Sequence, residues 1–509
     1  MPGYPRPRTV PARSLGELAA LLGVAASGGR PGPGERPGAG GRPGPGPTVT
    51  GVTLASDTVV PGDLFAALPG SRAHGARYIG AARAAGAVAV LTDPAGAPEA
   101  GDLPVLVVDD PRAALGEVAA EIYGRPTQRL TVLGITGTAG KTTTAYLLDA
   151  GLRAAGHSTA LIGTVETRIG DEVLDSARTT PEASDLQALC AVALERGVTA
   201  LSMEVSSHAL ALGRVNGIGF AVGGYTNFGT DHLDFHASVD EYFAAKALLF
   251  DGRCRYEVLN LDDPALGRLL RPQTITYSAA GDPTATWRAG EITPDGYGQR
   301  FRAYGPDPVE VRLALPGRHN VANALLALAS LVAVGVDAKT AAAGIATCPG
   351  VPGRLERVAA PGPVVGVVDY AHKPDAIVAA LAALRESTTG RLICVIGAGG
   401  DRDRAKRPTM GKAAAHGADL VIVTDDNPRT EDPAAIRADV LRGAGDAAIE
   451  VDGRRAAIAE AVARAAPGDL IALLGKGHER GQEVGAEVYP FDDRVELAAA
   501  LARRYGSGA

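Results

Sequence analysis

Lysine and cysteine are both scarce in this sequence. Seven lysines stand against 43 arginines, and because arginine serves as well for plain surface charge, each remaining lysine is a candidate for a specific role. The four cysteines lie far apart, and no two of them form a CxxC pair. This spacing argues against a structural zinc site and predicts reduced thiols in a cytoplasmic protein.

Long basic runs and long apolar runs are also absent from the sequence. With a formal net charge of −7, the chain is not expected to bind nucleic acid. No uninterrupted apolar stretch reaches the roughly 18 residues that span a bilayer, so no membrane partner is expected. The apolar stretch at 15–28 is similar to the core of a signal peptide, but Glu17 interrupts it and we expect an ordinary helix.

The length of 509 residues predicts more than one domain, because a single hydrophobic core does not grow to that size. Strand-like and helix-like segments alternate from residue 129, and again from near residue 350, which predicts an α/β fold with parallel sheets. We predict three domains: 1–128, a small α/β domain; 129–350, a central domain with a P-loop-type parallel sheet; and 351–509, a Rossmann-like domain. Residues 25–47 are so rich in proline and glycine that we expect a flexible insertion there.

The segment "GITGTAGKTTT" (134–144) follows a predicted strand and opens a predicted helix. Gly137 and Gly140 allow backbone amides to approach phosphate oxygens, Lys141 adds a positive charge, and Thr142 can ligate Mg²⁺. The spacing departs from GxxxxGK[ST], because Ile135 holds the place of the first glycine. The segment predicts ATP binding.

"TGTAGKTTT" resembles the variant phosphate loop of the Mur ligases, the ATP-dependent peptide-forming enzymes of bacterial cell-wall synthesis. Further segments match the family in order: "MEVSSHAL" (203–210), "TNFGTDHLDFH" (226–236), "YFAAKALLF" (242–250), "GRHNVANALLA" (317–327), "PGRLE" (352–356) and "DYAHKPD" (369–375). The resemblance extends from about residue 48 to residue 505. It is closest to the ligases that add the third residue of the stem peptide to UDP-N-acetylmuramoyl-L-alanyl-D-glutamate, and it implies a cytoplasmic monomer.

The resemblance implies an ATP site and two Mg²⁺ sites. The implied ATP-binding residues are Gly137, Thr138, Ala139, Gly140, Lys141, Thr142, Thr143, Asn320, Arg354 and Asp369. The implied metal ligands are Thr142, Glu204, His232 and Lys246, and the implied catalytic residues are Lys141, Glu204, His232 and Lys246. Lys246 is expected to be carbamylated by CO₂ to N6-carboxylysine, a reaction open to an amine that loses its proton but closed to a guanidinium.

The resemblance also assigns the nucleotide-sugar substrate to the N-terminal domain and its neighbour. The implied contacts are Leu54, Ser56, Ser71, Arg72, Ala73, His74, Gly75, Ala76, Thr179, Thr180, Ser206 and Arg214. This chain departs from the family at two positions. His74-Gly75 stands where an Asp-Gly pair is usual, and Leu212 stands where related chains often carry a polar residue.

The segment "TDDNPRTEDP" (424–433) follows an apolar run and places a stiff, charged loop at the end of a predicted strand. Family members with "DNPR" use diaminopimelate, whose far end carries a carboxylate that lysine lacks, and a guanidinium matches a carboxylate as a bidentate fork. The implied diaminopimelate contacts are Arg402, Asp426, Asn427, Pro428, Arg429, Gly475 and Glu479.

The implied reaction transfers the γ-phosphate of ATP to the γ-carboxylate of the D-glutamyl residue, and the amino group of diaminopimelate then attacks the acyl phosphate. Two alternatives stay open. The first is another ligase of the superfamily, such as a lysine-adding, D-alanyl-D-alanine-adding or folylpolyglutamate ligase, against which "DNPR" and the "TLASD" domain count. The second is a nucleotide-binding regulator without catalysis, against which the intact Lys141, Glu204, His232 and Lys246 count.

Overall fold

The computed structural model describes residues 4–27, 46–70, 73–174 and 178–506. The chain divides into two compact units, the first comprising 1–277 with 326–341 and the second comprising 278–325 with 342–509. This division follows compactness alone, so the three-domain division stays a prediction. No helix in the described ranges is both long enough and apolar enough to cross a membrane.

The first unit begins with a small sheet in which β4, β5, β6 and β7 run parallel in that order, with β2 antiparallel on the edge of β7, while β1 and β3 form a separate pair. The strands are β1 Arg13–Ser14, β2 Ala26–Ser27, β3 Thr48–Val49, β4 Gly51–Thr53, β5 Asp63–Ala67, β6 Ala89–Thr92 and β7 Val105–Val107. The helices are α1 Leu15–Leu22, α2 Ile79–Ala84 and α3 Pro111–Ile122.

The apolar stretch at 15–28 forms a helix only in its first part. Ser14 and Glu17 make a capping box at the start of α1, and Gly23, with φ 66°, ends the helix after Leu22. Ala26–Ser27 already belong to β2, and the amide of Leu15 donates to the carbonyl of Pro47. Residues 28–45, most of the predicted flexible insertion, lie outside the described ranges.

The central sheet of the first unit has the order β11-β10-β9-β12-β8-β13-β14-β15, in which β9, β12, β8, β13, β14 and β15 are parallel and β10 and β11 antiparallel. The strands are β8 Thr131–Thr136, β9 Thr159–Ile162, β10 Thr167–Ile169, β11 Glu172–Leu174, β12 Ala200–Glu204, β13 Phe220–Tyr225, β14 Cys254–Asn260 and β15 Ile275–Ser278. The helices are α4 Lys141–Ala154, α5 Ala183–Glu195, α6 Ser207–Ala211 and α7 Val239–Ala247. The predicted α/β class is confirmed, and the loops after β8, β12 and β13 open on one edge of the sheet.

The second unit contains an antiparallel meander, β16-β17-β18, that the sequence analysis did not predict. It also contains a sheet of order β19-β20-β24-β21-β22-β23, parallel except for β19, and a hairpin of β25 and β26. The strands are β16 Trp287–Asp295, β17 Gly298–Tyr304, β18 Val309–Leu313, β19 Glu356–Val358, β20 Val365–Asp369, β21 Leu392–Ile396, β22 Leu420–Val423, β23 Ile449–Glu450, β24 Leu470–Leu474, β25 Gly481–Val484 and β26 Glu487–Pro490. The helices are α8 Arg318–Ala333 and α9 Ala338–Thr347, within which the chain passes between units, and α10 Pro374–Glu386, α11 Lys406–Gly417, α12 Pro433–Ala444, α13 Arg454–Arg464 and α14 Asp493–Tyr505.

The parallel sheet of the second unit is buried on both faces. Along β21, Cys394 and Ile396 belong to one hydrophobic cluster, whereas Ile393 and Val395 belong to the cluster on the other side. Successive side chains of a strand point to opposite faces, so a strand covered on both sides must be apolar throughout. The polar residues that follow β21, β22 and β24 therefore stand out at the carboxyl edge of the sheet, where ligands bind in such folds.

Candidate active site

The loop after β8 has the backbone geometry of a phosphate-binding loop. Gly137 has φ 138°, and a β-carbon at this position would lie 1.8 Å from Thr226 Oγ1. Gly140 has φ 86° and immediately precedes α4. Both glycines are therefore required by the turn, and the loop delivers the amino end of α4 to an anion.

The segment after β13 holds this loop in place. The amide of Thr138 donates to the carbonyl of Asn227 at 2.8 Å, and the amide of Ala139 donates to Asn227 Oδ1 at 3.1 Å. Asn227 Nδ2 returns a bond to the carbonyl of Ala139, also at 3.1 Å. The sequence analysis assigned no role to Asn227, although it lies in the matched segment "TNFGTDHLDFH".

Two of the predicted catalytic lysines converge on one carbonyl oxygen. Lys141 Nζ donates to the carbonyl oxygens of Gly137 and Thr138 at 2.9 and 3.1 Å. Lys246 Nζ donates to the same Gly137 oxygen at 2.7 Å and lies 4.7 Å from the ring centre of Tyr242. Lys246 is 1% exposed. A buried ammonium beside a second ammonium is electrostatically unfavourable unless its charge is changed or compensated.

Glu204 ends β12, next to β8 in the sheet, and is 1% exposed. Its two carboxylate oxygens accept from the amide of Thr164 at 2.7 Å and from Thr164 Oγ1 at 3.1 Å. A β-carbon on Gly163 would lie 2.5 Å from Glu204 Oε1, so glycine is required for the carboxylate to sit there. Each oxygen accepts one described hydrogen bond and can accept or coordinate a second partner.

His232 lies in the loop after β13 with a left-handed backbone, φ 52°. Its Nε2 is 3.4 Å from Asp231 Oδ2, and its ring packs edge-on against His208 at 4.8 Å and against Tyr242 at 6.1 Å between ring centres. Because Tyr242 also contacts Thr138 and Lys246, the loop brings His232 towards the phosphate loop. The sequence analysis assigned no role to His208 or Tyr242.

These side chains match the way proteins usually bind Mg²⁺. In the described ranges, no three His, Cys, Asp or Glu side chains are grouped to make a complete metal cage. Mg²⁺ is usually held by one or two carboxylates together with substrate phosphates and water, so a cage is not required. The carboxylate of Glu204 and the hydroxyl of Thr142, in the buried first turn of α4, supply suitable hard oxygen ligands.

Four of the predicted nucleotide-sugar residues form one connected group with Glu204. Thr180 Oγ1 donates to the carbonyl of Glu204 at 2.9 Å and lies 3.5 Å from Ser206 Oγ. Arg214 donates to the carbonyl of Thr180 at 3.4 Å, and Thr179 Oγ1 is 3.0 Å from Thr164 Oγ1. The guanidinium of Arg214 also pairs with Glu182 at 3.0 Å, a partner that the sequence analysis missed.

The other predicted nucleotide-sugar residues that the structure describes follow strands β4 and β5 of the N-terminal sheet. His74 Nδ1 accepts from the amide of Ala76, and His74 Nε2 is 3.1 Å from Asp93 Oδ1. A β-carbon on Gly75 would lie 2.9 Å from the backbone nitrogen of Leu68. Leu54 and Ser56 follow β4, Ala73 precedes this turn, and Ser71 and Arg72 lie outside the described ranges. The described contacts do not join this group to Thr180.

Two of the predicted ATP-binding residues of the second unit, Arg354 and Asp369, lie close to each other. Asp369 ends β20 and accepts from the amides of Leu355 and Ala371, both at 2.7 Å. Burial raises the pKa of Asp369, and the nearby Arg354 opposes this shift. The guanidinium of Arg354 lies over the Tyr370 ring at 4.5 Å. Asn320, the third predicted residue, is buried in the first turn of α8 and donates to the carbonyl of Pro316 at 2.8 Å.

The "DNPR" loop after β22 is held by polar side chains and amides of the segment after β24. Asn427 Nδ2 donates to Glu479 Oε2 at 2.8 Å, and Asn427 Oδ1 accepts from Lys476 Nζ at 2.9 Å. Arg429 Nε donates to Glu483 Oε2 at 2.6 Å, and one Arg429 NH group donates to the carbonyl of Gly400 at 2.8 Å. The structure thus brings the predicted Asn427 and Glu479 together, and it adds Lys476 and Glu483, which the sequence analysis missed.

The other predicted residues of this site lie close to the same loop. A β-carbon on Gly475 would lie 2.4 Å from Asp426 Oδ2, so glycine is needed there. From the β-carbon position of Gly399, the nearest Arg429 nitrogen is 3.0 Å away and Arg402 Cγ is 3.8 Å away. Both arginine side chains therefore pass close to the main chain of Gly399. Pro428 fixes the backbone before Arg429, whose φ is 51°.

Comparison with known proteins identifies the family. Sequence models described as the Mur ligase family catalytic domain, the Mur ligase middle domain and the Mur ligase glutamate ligase domain match residues 48–123, 135–331 and 353–477. The UDP-N-acetylmuramoyl-L-alanyl-D-glutamate–2,6-diaminopimelate ligase of Streptomyces coelicolor is 51% identical over 99% of both chains. Its namesake from Corynebacterium glutamicum is 48% identical over 90% of this chain and 92% of that protein. A solved structure with the same enzyme name is 33% identical with a TM-score of 0.67, covering 90% of this chain and 95% of the other. The chain therefore belongs to the Mur ligase family and is an ATP-dependent ligase.

Proposed function

We propose that this ligase adds 2,6-diaminopimelate to UDP-N-acetylmuramoyl-L-alanyl-D-glutamate during synthesis of peptidoglycan precursors. The observation that supports diaminopimelate as the added amino acid is the structure of the "DNPR" loop. In this loop, Asn427 and Arg429 are held by partners on the segment after β24. The similarity to ligases from Streptomyces coelicolor and Corynebacterium glutamicum that are named for this reaction supports the same choice.

The first step is transfer of the γ-phosphate of ATP to the γ-carboxylate of the D-glutamyl residue. The phosphate loop binds the nucleotide phosphates through backbone amides at the amino end of α4, and Lys141 leaves its carbonyl partners to contact a phosphate oxygen. Thr142, Glu204, His232 and Lys246 are the residues that would hold two Mg²⁺ ions. When bound, these ions offset negative charge on the transferring phosphoryl group.

Lys246 takes part in this arrangement as a carbamate. Its neutral amine forms a nitrogen–carbon bond to CO₂ and releases one proton to solvent, so the side chain changes from a cation to an anion. The buried position beside the carbonyl of Gly137, which Lys141 shares, supports this change. The carbamate would supply an oxygen ligand for Mg²⁺.

The nucleotide-sugar substrate is bound by Thr179, Thr180, Ser206 and Arg214, which the contacts of Glu204 and Thr164 connect. The turn around His74, with Leu54 and Ser56, contributes to the uridine end. In the second unit, Asn320, Arg354 and Asp369 are the residues proposed to bind ATP. The amino group of the incoming amino acid then attacks the acyl phosphate, an amide bond forms, and inorganic phosphate leaves.

The far end of diaminopimelate carries one carboxylate and one ammonium. Arg429 and Arg402, whose side chains both pass close to Gly399, bind the carboxylate. Glu479 and the carbonyl of Gly475 bind the ammonium, and Asp426 adds negative charge beside Gly475. Lysine lacks this carboxylate and would make no charge-assisted contact with either arginine.

A phosphate-release assay tests the proposal. The protein is supplied with ATP, Mg²⁺, UDP-N-acetylmuramoyl-L-alanyl-D-glutamate and one amino acid at a time, namely meso- or LL-diaminopimelate or L-lysine. We expect diaminopimelate-dependent release of phosphate and a product whose mass equals the sum of the two substrates minus water. Reactions without the nucleotide-sugar substrate are the control.

Each alternative has its own outcome in this assay. Equal or faster turnover with lysine would identify a lysine-adding ligase. Activity with D-alanyl-D-alanine and the UDP-tripeptide, or with glutamate and a folate, would identify another member of the superfamily. Absence of phosphate release with every acceptor, although ATP still binds, would identify a regulator without catalysis.

A further inference from the structure

Lys476 is buried at the end of β24, in the segment "GKGHE", and is one of the seven lysines of the chain. It is 0% exposed, and its ammonium donates to three oxygens. The acceptors are Asn427 Oδ1 at 2.9 Å, Glu479 Oε2 at 3.3 Å and the carbonyl of Gly481 at 2.6 Å. An ammonium has three donors, so all of them are satisfied and its charge is compensated by one carboxylate.

This ammonium determines which way the Asn427 amide faces. Asn427 Oδ1 accepts from Lys476 Nζ and from the amide of Glu483 at 3.0 Å, so the oxygen must face these two donors. The NH₂ group is then directed to Glu479 Oε2 at 2.8 Å. A flipped amide would place its NH₂ against an ammonium and an amide, leaving donors facing donors in a buried site.

The carboxylate of Glu479 is oriented by the same network. In the described part of the chain, both side-chain donors to Glu479, from Asn427 and from Lys476, reach Oε2. The remaining oxygen, Oε1, accepts no hydrogen bond from the described residues and can accept one from a ligand. Glu479 is partly exposed, with 32% of its side chain accessible, so this oxygen is within reach of a bound ammonium group.

We infer that Lys476 is a positioning residue of the amino-acid site: it orients Asn427 and Glu479 so that one carboxylate oxygen meets the far ammonium of the amino acid. This inference rests on the proposed function. Lys476 itself does not touch the substrate, because its three donors are occupied within the protein. Arginine would not replace it, since a planar guanidinium directs its donors differently from a compact ammonium.

The test is Lys476→Met, which removes the ammonium and keeps an unbranched side chain of similar length. Loss of buried hydrogen bonds of this kind corresponds to a rise of roughly 10- to 100-fold in the KM for diaminopimelate. The KM for ATP and for the nucleotide-sugar substrate should stay unchanged, and kcat should fall less than kcat/KM for diaminopimelate. Lys412→Met, at an exposed position of α11, is the matched control and should behave as wild type.

A second pair of variants separates positioning from a general loss of stability. If Lys476 acts through Glu479, adding Lys476→Met to Glu479→Gln should raise the KM for diaminopimelate by much less than it does in the wild type. The double variant carries neither charge, so it remains informative if Lys476→Met alone does not fold. A full additional increase in the Glu479→Gln background, or an equal increase in the KM values for all three substrates, would overturn the inference.

The wild-type protein distinguishes failure of this inference from failure of the proposed function. If the wild type does not use diaminopimelate, the proposed function is wrong whatever Lys476→Met does. If the wild type uses diaminopimelate and folded Lys476→Met has a normal KM for it, the positioning role alone is wrong.

Discussion

The phosphate loop (134–144) and the "DNPR" loop (424–433) both follow parallel strands, but different contacts hold them. In the phosphate loop, the ammonium groups of Lys141 and Lys246 donate to main-chain carbonyls. In the "DNPR" loop, Asn427 and Arg429 are held largely by other polar side chains. The first loop therefore depends on backbone geometry, and the second depends on a network of side chains.

This difference has a physical origin in the ligands that each loop is proposed to bind. Backbone amides suit phosphate, and glycines at fixed spacing are enough to direct these amides at one ligand. An amino acid with two charged ends needs carboxylate and guanidinium groups at fixed positions. Such groups are flexible, and only their neighbours can immobilise them.

The largest effect is expected from a change at Lys246, which contacts the phosphate loop. Lys246→Arg should abolish turnover because a guanidinium cannot form a carbamate, and its positive charge would remain beside the proposed metal site. Steady-state phosphate release at saturating ATP and Mg²⁺ measures this, and ¹³C NMR with labelled bicarbonate should show a carbamate signal in wild type that the variant lacks. Lys412→Arg is the exposed control. Near-normal turnover of folded Lys246→Arg would contradict the carbamate role.

A somewhat smaller effect is expected from a change in the side-chain network of the "DNPR" loop. Arg429→Ala removes the group that we propose binds the far carboxylate of diaminopimelate. The expected cost is about 2–4 kcal/mol, which corresponds to a rise of roughly 30- to 1000-fold in its KM. ATP and nucleotide-sugar KM values should stay near normal, and discrimination against lysine should shrink. Kinetics with both amino acids provide the measurement.

The control for Arg429→Ala is Arg442→Ala. Arg442 is exposed on α12 and pairs with Asp439 of the same helix. Since Arg429 also binds Glu483 and Gly400, a thermal unfolding curve should accompany the kinetics. If activity with lysine and diaminopimelate falls equally, "DNPR" is a structural loop and selectivity lies elsewhere.

A third change tests whether the phosphate loop depends on backbone geometry. Gly137→Ala places a methyl group 1.8 Å from Thr226 Oγ1 at a backbone angle that alanine rarely adopts, so the loop must shift. A shift of about 1 Å is expected to lower activity by about 100-fold at fixed ATP. Gly219→Ala, where a β-carbon meets nothing within 4 Å, is the control. Equal ATP affinity of Gly137→Ala and wild type would contradict the role of this glycine.

The same contrast explains how much the sequence predicted. The strands and helices around both loops were predicted because their apolar patterns are continuous, and the phosphate loop was predicted because its glycines and lysine lie within eleven residues, 134–144. Lys476 and Glu483 were missed as partners because they lie 49 and 54 residues from Asn427 and Arg429. The meander β16–β18 was missed because its strands are half exposed and lack the continuous apolar runs of a parallel sheet.

The smallest expected effect is a dependence of stability on pH in the second unit. Burial lowers the pKa of His372 and of His478 to about 4, below the ordinary value of 6.5. Between pH 6.5 and pH 4 the unfolded chain binds more protons than the folded chain, so stability is full above pH 6.5 and falls as the pH is lowered. The loss between pH 6.5 and pH 5 should be about 1–2 kcal/mol per histidine. His372→Gln keeps a donor for the carbonyl of Tyr370 and should remove part of this dependence. The fall in Tm between pH 6.5 and pH 5 should then be smaller by a few degrees than in the wild type. His416→Gln, at an exposed position, is the control and should leave the fall in Tm unchanged. Parallel Tm–pH curves for wild type and His372→Gln would show that His372 titrates alike in the folded and unfolded chains.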